Sequence, residues 1–217
     1  MPYRNLTPMQ ALNKLKEGNF RFSNNMSLNQ DLLQQMKDTQ HKQEPFAVIL
    51  SCMDSRTSAE LIFDLGIGDI FSIRIAGNVI TQGILGSLEY ATAAAGSKLI
   101  VILGHTNCGA IKGACDDVKM GNLTGLLDKI KPAIEQEKTI TENRTSANPE
   151  FVDAVTHLNI QHSLEQVLEQ SPVIDDLVKA GKVGIIAALY NIATGKITFY
   201  EEDAVIPQLQ EEKNSIS

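Results

Sequence analysis

Residues 46–56 read Phe46-Ala47-Val48-Ile49-Leu50-Ser51-Cys52-Met53-Asp54-Ser55-Arg56. The run from Phe46 to Leu50 is apolar without a break, as in a parallel strand covered on both faces. It ends on a thiol, a carboxylate and a guanidinium. A second stretch is built the same way: Leu99-Ile100-Val101-Ile102-Leu103-Gly104-His105-Thr106-Asn107-Cys108-Gly109. Five apolar residues are followed by an imidazole and another thiol. In a doubly wound sheet, ligands bind at the carboxyl ends of strands, near the point where strand order reverses. If these two strands are neighbours, Cys52, His105 and Cys108 converge there.

The pattern around these stretches alternates strands with helices. Residues 7–22 and 31–38 read as helices, 59–64 as a short helix ending at Gly66, and 70–75 as a second strand. Residues 83–95 form a small-residue helix, and 107–115 one that opens at Asn107. Residues 121–136, 150–170 and 173–180 are helical, with a polar loop at 141–149. Residues 183–190 and 197–200 make a hairpin through Ala193-Thr194-Gly195. The expected fold is α/β: a mostly parallel central sheet with an antiparallel edge strand, flanked by helices. Residues 1–217 form one domain, of which 1–40 is an N-terminal helical arm.

At 217 residues and 43% hydrophobic content, the chain can bury one substantial core. The net charge of −7, with no basic stripe, argues against a nucleic-acid partner. No apolar run approaches the roughly 20 residues of a membrane span, and the start of the chain lacks the apolar core of an export signal. Three cysteines are few and odd in number, which favours a reducing compartment and metal binding over disulfides. The expectation is a soluble cytoplasmic protein.

Two thiols and an imidazole are the ligand set of a catalytic zinc site that leaves its fourth position open. His105-x-x-Cys108 sets two ligands one turn apart at a helix start, where a thiolate is favoured, and Cys52 closes the set. In an extended segment, residues 52, 54 and 56 share one side. Arg56 can then pair bidentately with Asp54, hold that carboxylate off the metal and leave room for water. Zinc acidifies such a water, and a neighbouring carboxylate orients the resulting hydroxide. Two alternatives stand beside this. One is a closed structural site with Asp54 as fourth ligand; the other is two buried thiols with a packed histidine and a loop salt bridge. Cys115 reads as a buried helix residue. His41, His157 and His162 read as solvated or packed side chains, and Glu89 as support for a site or a buried structural carboxylate.

Cys52-x-Asp54-Ser55-Arg56 with His105-x-x-Cys108-Gly109 resembles the β-class carbonic anhydrases. Arg74-x-Ala76-Gly77-Asn78, Gly86-Ser87-x-Glu89-Tyr90-Ala91 and Tyr190-x-x-x-Thr194-Gly195 extend the likeness over most of the chain. The resemblance implies one zinc per chain on Cys52, His105 and Cys108, with Asp54 and Arg56 as a gating pair. It implies reversible hydration of carbon dioxide to bicarbonate by zinc-bound hydroxide. It also implies a homodimer or higher even oligomer, with sites at the subunit boundary and the N-terminal helices embracing the partner. Gln43, Phe71 and Tyr90 match the substrate pocket of the plant-like, non-allosteric subgroup. Ala76 fits a small apolar wall, and Gly109 adjoins the last ligand. The other subgroup carries a Trp three residues before the first ligand, where this chain has Ile49. Hydrolysis of carbon disulfide or carbonyl sulfide on the same scaffold is the alternative activity.

Overall fold

The computed structural model describes residues 6–207 and 209. The parts of the expected arm and domain at residues 1–5, 208 and 210–217 lie outside the described residues. Five strands form the sheet: β1 (Ala47–Ser51), β2 (Ile70–Arg74), β3 (Leu99–His105), β4 (Gly184–Tyr190) and β5 (Ile197–Val205). Their order is β2-β1-β3-β4-β5. The first four run parallel, and β5 closes the edge antiparallel to β4. The expected architecture is therefore the observed one.

Both faces of the inner strands β1, β3 and β4 are covered, which explains the unbroken apolar runs. Ala47, Ile49, Leu99, Val101 and Leu103 face one cluster with Ala11, Leu12 and Leu15 of α1 (Pro8–Ser23) and Ile62 of α3 (Ala59–Ile62). Val48, Leu50, Ile100 and Ile102 face the other. There they meet Ile84 and Leu88 of α4 (Gln82–Glu89), Ile160 and Leu164 of α8 (Pro149–Gln170), and Ile174 and Val178 of α9 (Pro172–Lys179). A third cluster caps the carboxyl end of the sheet, where Cys52 and Cys108 pack with Ile111, Leu127, Ile130 and Phe151.

Helix α1 starts at a capping box on Thr7 and Gln10, with Pro8 in its first turn. It lies on its own chain's sheet. Gly18 permits its close approach to the end of α3, since a Cβ there would fall 1.9 Å from the Phe63 carbonyl oxygen. Buried Asn19 stitches three segments by donating to Ile62 O and Gly195 O and accepting from Ile197 N. By contrast α2 (Leu32–Thr39) buries no residue, and Leu32, Leu33 and Met36 stay exposed. Among the described residues no helix is long and apolar enough to cross a membrane.

Several expected elements differ in extent. The helix expected over 107–115 opens at α5 (Gly109–Cys115), because Asn107 takes the left-handed φ of 58°. The helix expected over 121–136 is broken into α6 (Gly121–Leu127), a 3₁₀ turn and α7 (Lys131–Gln136). Pro132 lacks the N–H that a continuous ladder needs there, and Lys131 N closes a tighter bond to Asp128 O instead. The turn over 59–64 ends early, with Asp64 at φ 49°. The helix over 83–95 finishes as a π-turn, Tyr90–Ala94. Strand β3 runs on to His105, and β5 runs on to Val205 past a bulge.

Candidate metal centre

The strand order places the site. Strand β1 lies between β2 and β3, so the chain turns away from it in opposite directions on its two sides. The crevice at the carboxyl ends of β1 and β3 is the switch point of the sheet. Cys52 follows the last residue of β1, His105 is the last residue of β3, and Cys108 caps α5. Their donor atoms all lie within 4.8 Å of one another, and all three residues are buried. One expectation changes here: His105 and Cys108 are brought together by a strand end and a tight turn, not by one turn of helix.

The donor set fits a tetrahedral zinc. The two sulfurs are 3.8 Å apart, the span that two ~2.3 Å bonds subtend at a tetrahedral angle. It is far beyond the ~2.05 Å of a disulfide. His105 Nδ1 is 3.0 Å from Thr106 O, a bond in which the ring nitrogen donates. That leaves Nε2 as the lone-pair nitrogen, and Nε2 is buried with no hydrogen-bond partner. A metal ligand histidine is oriented in this way. The hydrogen bond from Cys108 comes first in holding the Cys52 thiol well below its ordinary value, and Gly77 N–H adds to it. The same bond pushes Cys108 up.

Asp54 stands at the mouth of this cluster, its Oδ2 3.9 Å from His105 Nε2. Arg56 Nε donates to Oδ1 at 2.9 Å, and Nη2 donates to Oδ2 at 2.7 Å. Arg56 N also donates to Oδ1 at 2.9 Å. The segment is therefore not extended as expected. Asp54 caps a turn closed by Thr57 N to Asp54 O, and the turn brings Arg56 back over the carboxylate. The Arg56 side chain is the largest cause holding the Asp54 carboxyl well below the usual carboxylate range.

Other residues shape the loop. Arg74, at the end of β2, donates to Cys52 O at 3.3 Å and to Asp54 O at 2.6 Å. Thr57 Oγ1, 2.9 Å from Cys52 O, donates within the same turn. Gly77 N donates to Cys52 Sγ at 3.4 Å. Gly77 sits at φ 67°, and a Cβ there would be 3.0 Å from Ile130 and 3.3 Å from Ala110. Neither Thr57 nor the support of Cys52 by Gly77 was evident from the sequence. The adjoining glycine-asparagine pair was the available signal, since it marks backbone of unusual φ.

Ala76 and Gly109 adjoin the centre, one beside Gly77 and the other beside Cys108. Gln43, Phe71 and Tyr90 do not. Gln43 precedes β1, and Phe71 is in register with Val48, roughly 13 Å down the strand from Cys52. Phe71 and Tyr90 meet edge to face at 6.0 Å. Gln43 and Tyr90 line a separate cavity of about 580 Å³, and Tyr90 is 55% exposed. Within one chain Gln43, Phe71 and Tyr90 thus form a second group, apart from the three donors, Ala76 and Gly109. Cys115 lies apart from the donors, its thiol pushed up to about 11 by burial.

The carbonic anhydrase family model matches residues 47–197, which span both motifs and every strand from β1 into β5. The chain belongs to the β-carbonic anhydrase family. It is 32% identical over 199 residues to a carbonic anhydrase of Mycolicibacterium smegmatis, covering 89% of this chain and 93% of that protein. It is 31% identical over 203 residues to carbonic anhydrase 2 of Mycobacterium tuberculosis, covering 88% and 92%. Among solved structures it resembles a tetrameric β-carbonic anhydrase of Sordaria macrospora. The TM-score is 0.65 at 25% identity, over 77% of this chain and 89% of that one. Membership agrees with the resemblance read from the motifs, and the chain is a carbonic anhydrase by descent.

Proposed function

We propose that the protein catalyses the reversible hydration of carbon dioxide to bicarbonate and a proton, with one zinc per chain held by Cys52, His105 and Cys108. The observation that carries this reading is a buried sulfur, nitrogen, sulfur set with an unpartnered His105 Nε2, beside a carboxylate whose oxygens are both taken by Arg56. When bound, the ion supplies Lewis acidity that makes a hydroxide nucleophile available near neutral pH. Asp54 stays ionised and accepts a hydrogen bond from the attacking oxygen, which turns a lone pair toward the substrate carbon. Arg56 holds Asp54 in place and competes with the cation for it, so that the carboxylate does not fill the fourth ligand position. Ala76 and Gly109 leave room for a linear, apolar substrate.

Gln43, Phe71 and Tyr90 belong to the substrate pocket in this reading, and they reach the donors of a second copy of the chain. A homodimer or higher even assembly follows, of the plant-like, non-allosteric kind. The two free, buried thiols at the donor site suit a reducing cytoplasm. Nothing in the comparisons supports the carbon disulfide or carbonyl sulfide hydrolase alternative. Turnover of one zinc-loaded preparation on all three substrates tests the assignment. Carbon dioxide is expected to turn over fastest by a wide margin; faster hydrolysis of carbon disulfide or carbonyl sulfide overturns it.

A further inference from the structure

Two polar side chains on the buried face of α8 have no place in the chemistry described above. Asn159 and Ser163 stand one helical turn apart, and each is 2% exposed. Asn159 Nδ2 donates to Gly77 O at 2.9 Å, and Ser163 Oγ donates to Asn78 O at 3.3 Å. The turn that they grip holds two consecutive left-handed residues, Gly77 at φ 67° and Asn78 at φ 44°. A non-glycine residue in that region persists only where its surroundings over-determine it. The same turn presents Gly77 N–H to Cys52 Sγ.

We propose that Asn159, seconded by Ser163, is a positioning residue for the metal centre. It fixes the Gly77–Asn78 peptide, and through the φ and ψ of Gly77 it orients the preceding Ala76–Gly77 peptide, whose N–H bonds the Cys52 sulfur and sets that thiolate's donor strength. A hydrogen bond to a ligand sulfur withdraws electron density from it, and partners one shell out from a metal tune both affinity and electronics. Asn159 touches neither metal nor substrate; it acts through the backbone of one residue, Gly77. The proposal rests on the reading of Cys52 as a metal ligand.

The test replaces zinc by Co²⁺ in the full-length protein and reads the sulfur-to-cobalt charge-transfer band. In Asn159→Ala the band is expected to move to lower energy, because the Cys52 sulfur has lost its hydrogen bond. Cobalt affinity, measured by chelator competition, is expected to weaken about 10-fold or more. General loss of packing would not shift that band. If Asn159→Ala does not fold, Ser163→Ala removes a single hydroxyl from the same turn and is expected to shift the band in the same direction by less. An unshifted band with unchanged affinity in the folded variant overturns the proposal. A parent protein that shows no such band overturns the ligand reading itself, and the two failures are thereby told apart.

Discussion

Arg56 gives Asp54 three bonds, two from its side chain and one from its own backbone N–H. A carboxylate held so completely is a poor competitor for a nearby cation. Arg56→Ala should free Asp54 to turn onto the metal. Carbon dioxide hydration should then fall by about 10²–10³-fold at unchanged zinc content. Asp54→Ala should also retain zinc while losing activity. Zinc analysis beside stopped-flow rates checks both, and full turnover in Arg56→Ala would contradict the gating role. The same pairing gives a pH signature. A carboxyl lowered on folding adds stability above its unfolded value of about 3.9, and that contribution is lost as pH falls through the folded value. The urea midpoint of the parent should exceed that of Arg56→Ala by a steady margin between about pH 5 and pH 8, and the gap should close below about pH 4. A gap that instead opens on acidification has the wrong sign. Cys108→Ser should lose zinc and activity together; a zinc-replete, active variant would remove Cys108 from the ligand set.

At the scale of elements, most of what was legible rests on burial on both sides. Strands β1 and β3 carry no polar alternation because neither of their faces meets water, so residues 46–50 and 99–103 announced themselves. Their endings were legible too, since chemistry placed after a buried strand lies at the open end of the sheet. Local backbone was less legible. Asn107 and Asp64 read as helix residues until their left-handed φ values appear, and Pro132 breaks a helix that hydrophobic spacing alone continues. Alternation placed Arg56 beside Asp54, but a turn puts it there. The bond from Asn159 to Gly77 O was hidden, because a polar residue on an apolar helix face names no partner. Helix α1 provides a check on packing. Leu15 is fully buried between the helix and the sheet, so Leu15→Ala should cost about 2–5 kcal/mol in a denaturant titration. A change below about 1 kcal/mol would mean that α1 is not docked as described.

At the scale of the molecule, the donors lie in one place of the chain and Gln43, Phe71 and Tyr90 in another, which is why this second group could be listed from the sequence but not located. If the proposed pocket forms between two copies, Cys108→Ser and Gln43→Ala chains should complement when co-expressed. The mixed dimer then holds one site with all its ligands and a Gln43 from the other chain. Activity well above that of either variant alone is expected, and none is expected if Gln43 serves its own chain. An active monomer by light scattering at assay concentration would likewise overturn the shared site.

The central claim joins the three donors to the chemistry, and one titration tests both. Zinc is added stepwise to metal-stripped protein while carbon dioxide hydration is followed by stopped flow. The rate is predicted to rise in proportion to zinc and to saturate at about one ion per chain, as three converging donors require. A rate that does not depend on zinc, or that stays at background once an ion is bound, would contradict the account.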